Sequence, residues 1–195
     1  MIVVTETCPP PTPGSVASGL VLWLDGSDAN ADGTSPTDGN PVLIWKDRSI
    51  AGNDATLHVG QNAPVFVTNQ INGKSVLRFS RVADNLGSVL KTDVDIRPTI
   101  TEDVTVFTVY KHASIGDNMA PWGSDDGNWD RFFISAFSST VDGVASFGPA
   151  PPYYTPVVGS GVPGSIRLLT AVYDGKVLAG SNSGPVDGSS IYFNG

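Results

Sequence analysis

Short apolar runs separated by turn residues recur along the chain from Gly19 onward. Each run has the length of a β-strand and ends at Gly, Pro, Asn or Asp, which is typical of strands rather than helices. Runs that begin at Gly19 and Val42 predict two buried strands, and their indoles, Trp23 and Trp45, are expected in the core. Further strands are predicted at Ala55–Val59, Val65–Thr68, Ser75–Phe79, Val104–Lys111, Arg131–Phe137, Val144–Phe147, Ile166–Tyr173 and Ile191–Phe193.

Two dipeptides predict tight hairpins between strands. Asn72-Gly73 and Asp174-Gly175 both accept the positive φ angles that two-residue hairpin turns require. Residues 104–110, VTVFTVY, are apolar or β-branched on both alternating faces, which predicts a central strand covered on each side. Since no segment keeps a helical period, the pattern predicts an all-β fold in which antiparallel strands form a sandwich.

The length and composition of the chain predict a single domain. A chain of 195 residues that is 40% hydrophobic fits one β-sandwich, predicted here over residues 19–195. Residues 1–18 include a triple proline and predict an extended proline-rich arm or linker. The single Cys8 excludes an intrachain disulfide. No apolar run approaches the length of a membrane span, and the first residues lack the pattern of a signal peptide.

Charge and residue types argue against nucleic-acid binding and against catalysis. The formal net charge is -8, and the 11 Lys and Arg are dispersed, so no basic stripe is present for a phosphate backbone. Glycosidases use paired carboxylates, whereas the two glutamates, Glu6 and Glu102, are far apart in the sequence. His58 and His112 lie in predicted strands, away from any nucleophile turn. The sequence therefore predicts a protein that is not an enzyme.

An ordered series of segments runs along the chain: GLVLWLD at 19–25, WKDRS at 45–49, GNDA at 52–55, Pro64, INGKSVLRF at 71–79 and LLTAVYDG at 168–175. This series resembles the laminin-G-like, concanavalin A-like lectin–glucanase jelly-roll domains of bacterial and phage surface proteins. The resemblance implies a two-sheet antiparallel jelly roll, and family members bind glycans or protein surfaces, some with calcium. Such domains continue past a strand like Ile191–Phe193, so the last strands are expected to be missing or to come from a neighbouring subunit.

One loop carries a pattern suited to calcium. In Asp28-Ala-Asn30-Ala-Asp32-Gly33, oxygen ligands alternate before a glycine, as in the opening of an EF-hand loop. The twelfth position is Gly39 instead of a bidentate Glu, which excludes a complete EF-hand. Two alternatives stay open, namely a half-loop calcium site completed from elsewhere and an Asp-rich turn without metal.

A second cluster is typical of a ligand-binding surface. Aromatic rings stack on sugar faces while carboxylates and amides bind hydroxyls. The candidate ligand-binding residues are Trp122, Asp125, Asp126, Asn128, Trp129 and Asp130 in a predicted loop, with Tyr153 and Tyr154 in a second, proline-rich loop. The alternative is that Trp129 caps the core and that the tyrosines pack on their own domain.

These features lead to two functional hypotheses. The first is a non-catalytic recognition or adhesion module, extracellular or surface-displayed, that binds a glycan or cell-surface ligand and is tethered to a parent assembly by its arm. The alternative is a structural component of a phage virion, a capsid decoration or tail-fibre protein, in which the sandwich makes subunit contacts and forms homo-oligomers. A third class, an accessory domain of a secreted glycosidase, requires a catalytic neighbour.

Overall fold

All regular elements of the described residues are β-strands. The structure, a computed structural model, describes residues 13, 16, 18–83, 86–97, 100–101, 103–113, 120–124, 131–134, 144–146, 154–156, 164–173 and 190–193. Within these ranges no α-helix occurs, and every pairing between strands is antiparallel. The all-β prediction is confirmed. No helix in the described part of the chain could cross a membrane.

The chain divides into two compact units, Met1–Val94 and Asp95–Gly195. The described residues of the first unit form seven strands: β1 (Ile44–Trp45), β2 (Ala55–Leu57), β3 (Val65–Ile71), β4 (Lys74–Arg78), β5 (Arg81–Ala83), β6 (Leu86–Gly87) and β7 (Leu90–Lys91). They form a sheet of order β1-β2-β7 and two hairpins, β3-β4 and β5-β6. The predicted single domain over residues 19–195, its jelly-roll topology and the arm over residues 1–18 stay predictions.

The β3-β4 hairpin turns where the sequence predicts it. Asn72 and Gly73 have φ angles of 48° and 75°, and Ile71 pairs with Lys74 across the turn. Only Gly and, less often, Asn adopt this left-handed backbone without strain, which is why the dipeptide specifies the turn. The other predicted turn, Asp174-Gly175, lies outside the described residues.

The core of the first unit is small. Ala29, Val42 and Phe66 are buried together, and Trp45 and Leu77 pack against them half-buried. The prediction of a strand from Gly19 is wrong, because this segment forms only an isolated bridge between Leu24 and Asp47. Two of its backbone groups are bonded by side chains, since the Trp23 N–H donates to Asp47 and the Asn53 amide donates to the Val21 oxygen.

The second unit contains two sheets that share one core. Its strands are β8 (Val104–Lys111), β9 (Trp122–Ser124), β10 (Arg131–Ile134), β11 (Val144–Ser146), β12 (Tyr154–Pro156), β13 (Ile166–Tyr173) and β14 (Ser190–Phe193). They are ordered β12-β11-β10-β9 in one sheet and β14-β13-β8 in the other. Phe133 of the first sheet is buried with Leu169, Ala171 and Tyr173 of the second, an arrangement like that of a β-sandwich.

Arg131 is a fully buried cation in this core. Its Nη1 donates to the backbone oxygens of Ile96 at 3.0 Å and Thr101 at 2.9 Å, and its guanidinium lies 4.8 Å from the ring centre of Tyr173. Burial raises the pKa of Tyr173 strongly, and the positive charge of Arg131 opposes that rise without cancelling it. The arginine thus fixes the segment that leads into β8.

One face of β8 is exposed, contrary to the prediction of a strand covered on both sides. Its residues alternate between half-buried and exposed positions, and Phe107 and Val109 are 70% and 59% exposed. The sequence shows which residues of the strand are apolar, but it does not show whether another element packs against each face. The inner residues Val104, Val106 and Tyr110 do contact the core.

Neighbouring leucines of β13 provide a direct test of this assignment of faces. We expect Leu169→Ala to lower the free energy of unfolding by about 2–5 kcal/mol, because Leu169 is fully buried and its truncation leaves a cavity. The matched control Leu168→Ala, on the opposite and partly exposed face, should cost about 1 kcal/mol or less. Urea unfolding measures both, and equal losses would contradict the assignment.

Candidate functional site

The first unit is organised around the carboxylate of Asp47. The backbone N–H groups of Trp23 and Ser49 donate to its Oδ1 at 2.8 and 2.9 Å. The Ser49 hydroxyl and the Asn53 N–H donate to its Oδ2 at 2.6 and 2.8 Å. In turn, the Asp47 N–H donates to Asp54 at 2.9 Å. Asp47 therefore connects the distant segment at Trp23 with the local turn formed by residues 47–54.

These hydrogen bonds keep Asp47 ionised. Burial alone raises the pKa of this carboxyl, but the hydrogen bonds from Ser49, Trp23 and Asn53 outweigh it, so the pKa lies below the ordinary 3.8. A general acid of a glycosidase needs a raised pKa at its carboxyl, which this environment does not provide. The four hydrogen bonds to its carboxylate give Asp47 a structural role.

Next to Asp47, a guanidinium bridges two carboxylates. Arg48 Nη1 lies 2.8 Å from Asp25 Oδ2 and 3.2 Å from Asp28 Oδ2, and the guanidinium lies 4.6 Å from the ring centre of Trp23. Burial raises the pKa of Asp25, but hydrogen bonds from Ser27 and the charge of Arg48 together outweigh this effect, so the pKa lies below its ordinary value. The half-buried Trp23 is thus covered by Arg48, while Trp45 contacts the core as predicted.

The predicted calcium loop is held by contacts within the protein. Asp28 Oδ2 accepts from the Gly33 N–H at 3.2 Å, Asp32 Oδ1 accepts from the N–H and hydroxyl of Thr34, and the Asn30 amide donates to the same hydroxyl. Asp28 Oδ1 is buried and accepts no hydrogen bond from the part of the chain that the structure describes. Among the described residues, no group of three or more His, Cys, Asp and Glu could hold a metal ion. Calcium binding by Asp28, Asn30 and Asp32 stays a prediction.

The structure describes few of the residues predicted to bind a ligand. Trp122 lies on β9 instead of in a loop, and its ring packs edge-on against Tyr173 at 5.8 Å. Its Nε1 is buried and has no hydrogen-bond partner among the described residues. Tyr154 begins β12. The remaining candidates lie outside the described residues: Asp125, Asp126, Asn128, Trp129, Asp130 and Tyr153. Their role in binding stays a prediction.

A different surface stands out in the second unit, and we call it the open sheet face. It is the side of the β14-β13-β8 sheet that points away from the core shared with Leu169 and Tyr173. The pairing register places ten side chains on this side, which are Thr105, Phe107, Val109, Lys111, Ile166, Leu168, Thr170, Val172, Ser190 and Tyr192. Contiguous exposed apolar surface of this kind marks interaction sites in soluble proteins.

The open sheet face is ordered in rows that cross the strands. One row consists of Phe107, Thr170 and Tyr192, and the next pairs Val109 with Leu168. Phe107 and Tyr192 are 70% and 51% exposed. The ten positions include no Asp or Glu, although the chain has a formal net charge of -8.

The apolar residues on both faces of β8 are the sequence signal for this face. The two apolar faces of β8 predicted a strand covered on each side, and an exposed binding face produces the same pattern. The sequence does not show that Tyr192 lies in the same row as Phe107, because the two residues are far apart in sequence and only the pairing of β13 with both neighbours aligns them.

No family model, curated protein or solved structure matches this chain.

The lowered pKa of Asp47 predicts a pH dependence of stability. A carboxyl whose pKa is lower in the folded chain than in the unfolded chain contributes its full stabilisation above the unfolded value and loses it as pH falls through the folded value. We expect the wild type to lose stability between about pH 5 and pH 2, and Asp47→Asn to show a shallower loss. At neutral pH, Asp47→Asn should cost about 2–4 kcal/mol, because the amide NH2 that replaces one carboxylate oxygen is a donor and cannot accept the hydrogen bonds made to that oxygen.

Urea unfolding across this pH range measures both effects. The control is Asp32→Asn, because the exposed Asp32 accepts from the N–H and hydroxyl of the nearby Thr34 and holds only a local turn in the described part of the loop. A parallel pH profile for Asp47→Asn and the wild type would contradict the structural role of this carboxylate.

Removing Arg48 tests the loop and its calcium prediction together. We expect Arg48→Met to lower stability by about 1–3 kcal/mol, because the half-buried carboxylates of Asp25 and Asp28 lose their shared cation. Calcium should restore part of this loss, since a divalent cation can replace the guanidinium between two carboxylates. Thermal unfolding with calcium, magnesium or a chelator measures the effect, and identical midpoints would favour the Asp-rich turn without metal.

Proposed function

We propose that this chain is a non-catalytic recognition or adhesion module, displayed on the outside of a larger assembly, that binds a glycan or another cell-surface ligand. The observation that carries this proposal is the open sheet face, where Phe107, Val109 and Tyr192 are more than half exposed. Exposed aromatic rings beside hydroxyl side chains suit sugar rings, which have apolar faces and polar edges.

The chemistry of the described carboxylates supports binding over hydrolysis. Every aspartate with a shifted pKa in the described ranges is shifted downward, mostly because hydrogen bonds stabilise its charged form. Glycoside hydrolysis requires one carboxyl group that stays protonated near neutral pH and a second one nearby. Aspartates held in this way as hydrogen-bond acceptors are better suited to a rigid binding scaffold.

The alternative function, a structural component of a phage virion, is favoured by the aliphatic part of the same face. Val109, Ile166 and Leu168 are exposed next to one another on β8 and β13. Aliphatic rows on a flat sheet also suit contacts between subunits, and such contacts generate symmetric oligomers. The two functions therefore differ in whether a ligand or another subunit covers this face.

Glycan binding and native mass, measured on one preparation, test the proposal. We expect light scattering to show a monomer and a glycan array to show binding. Phe107→Ala should weaken binding, whereas Val82→Ala, which alters a similarly exposed residue of the first unit, should leave it unchanged. A closed oligomer that Leu168→Asp dissociates, with no glycan bound, would overturn the proposal in favour of the virion component. Calcium is varied in both measurements.

A further inference from the structure

We propose that the open sheet face binds an extended, β-linked glycan chain that crosses the strands, with one sugar ring on Phe107 and another on Tyr192. This inference rests on the proposed function and adds to it the shape of the ligand, its direction on the sheet and the two residues that stack on it. Three observations support it: the row geometry, the polar groups between the rings, and the charge of the face.

The row geometry sets the distance between the two aromatic rings. Phe107 pairs with Thr170, and Thr170 pairs with Tyr192, so the aromatic residues occupy the outer strands of one row. Two interstrand steps separate their Cα atoms by about 10 Å. Both residues point to the same side, since residues directly opposite in antiparallel strands share a face.

This separation matches the repeat of a flat glycan. In a β-linked chain of pyranose rings with equatorial bonds, the backbone is an extended ribbon, and rings one disaccharide apart turn the same apolar face to one side. α-Linked chains coil, which removes this alignment. A ribbon that runs across the strands therefore places one ring on Phe107 and the next equivalent ring on Tyr192, with the intervening ring over Thr170.

Polar side chains lie where the intervening sugar needs them. Thr170 lies between the two aromatic residues, and its hydroxyl can donate to or accept from the ring above it. The adjacent row carries Thr105 and Ser190 on either side of Val172. Hydroxyl groups beside apolar stacking surfaces are the combination by which proteins hold neutral sugars.

The charge of the face is complementary to a neutral or anionic glycan. Lys111 is the only residue with a formal charge among the ten positions, whereas the whole chain has a net charge of -8. The absence of carboxylates at these ten positions removes repulsion of uronate or sulfate groups, and Lys111 adds attraction. A second copy packed over the face would bury this lysine, and lysine is depleted in the centre of protein interfaces.

Calorimetric titration with linear oligosaccharides tests this inference. The probes are β-1,4-linked glucose and N-acetylglucosamine oligomers of increasing length, a β-linked uronate oligomer, α-1,4-linked glucose oligomers and compact branched glycans. We expect binding to a β-linked probe, with affinity that rises until the chain spans both aromatic residues and then levels off. The α-linked oligomers should bind at least about tenfold more weakly, because they can stack on only one ring.

Variants of the two aromatic residues complete the experiment. Phe107→Ala and Tyr192→Ala should each lower the affinity about 5–20-fold, whereas Tyr192→Phe, which keeps the ring, should lower it little. Unfolding midpoints verify that the variants are folded, and Val82→Ala is the control for an exposed apolar residue elsewhere.

The outcomes distinguish the binding of a β-linked ribbon from the more general recognition function. Binding of a compact or α-linked glycan that is insensitive to Phe107→Ala and Tyr192→Ala would overturn the β-linked ribbon and leave the recognition function intact. Absence of binding to every probe, together with self-association through this face, would overturn both.

Discussion

Beside the short strands β1 and β2 of the first unit, the carboxylate of Asp47 supplies hydrogen bonds that a longer strand ladder would otherwise provide. Strands β1 and β2 are only two and three residues long, so backbone pairing alone supplies few hydrogen bonds there. Asp47 instead accepts four hydrogen bonds from Trp23, Ser49 and Asn53, and this holds the segment before β1 against the turn after it. Buried N–H groups must find acceptors, and one ionised carboxylate satisfies several at once. The position of Arg48, and through it the loop with Asp28, depends on this arrangement.

In the second unit, a long strand ladder satisfies the backbone groups, and apolar burial forms the core. β8 and β13 pair along eight residues each, so their backbone groups are satisfied by the ladder, and the inner face is free to pack. Arg131 is the exception, since it brings a buried cation to the backbone oxygens of Ile96 and Thr101. Because this ladder holds the strands rigidly, the outward side chains of the open sheet face are presented in fixed rows, as a binding surface requires.

The sequence predicts local features well and long-range ones poorly. Asn72-Gly73 specifies its hairpin because the required φ angles depend on these two residues alone. The extent of β13 followed from its apolar run. By contrast, the network around Asp47 joins residues far apart in sequence, and no spacing reveals it. Trp122 was expected in a loop because its neighbours are turn residues, yet packing against Tyr173 places it on β9.

Stability alone does not account for the aromatic row. β-Branched residues such as Val109 and Ile166 favour strands on either face, so their exposure needs no ligand. Phe107 and Tyr192 differ, because two strand spacings of about 10 Å in all separate their Cα atoms. Aromatic rings stabilise each other at shorter distances, with about 4.5–7 Å between their centroids. Thr170 lies between them and leaves both rings largely exposed. Their apolar surface therefore gains little in the folded chain by itself, and a partner that covers both rings at once would supply what the fold does not.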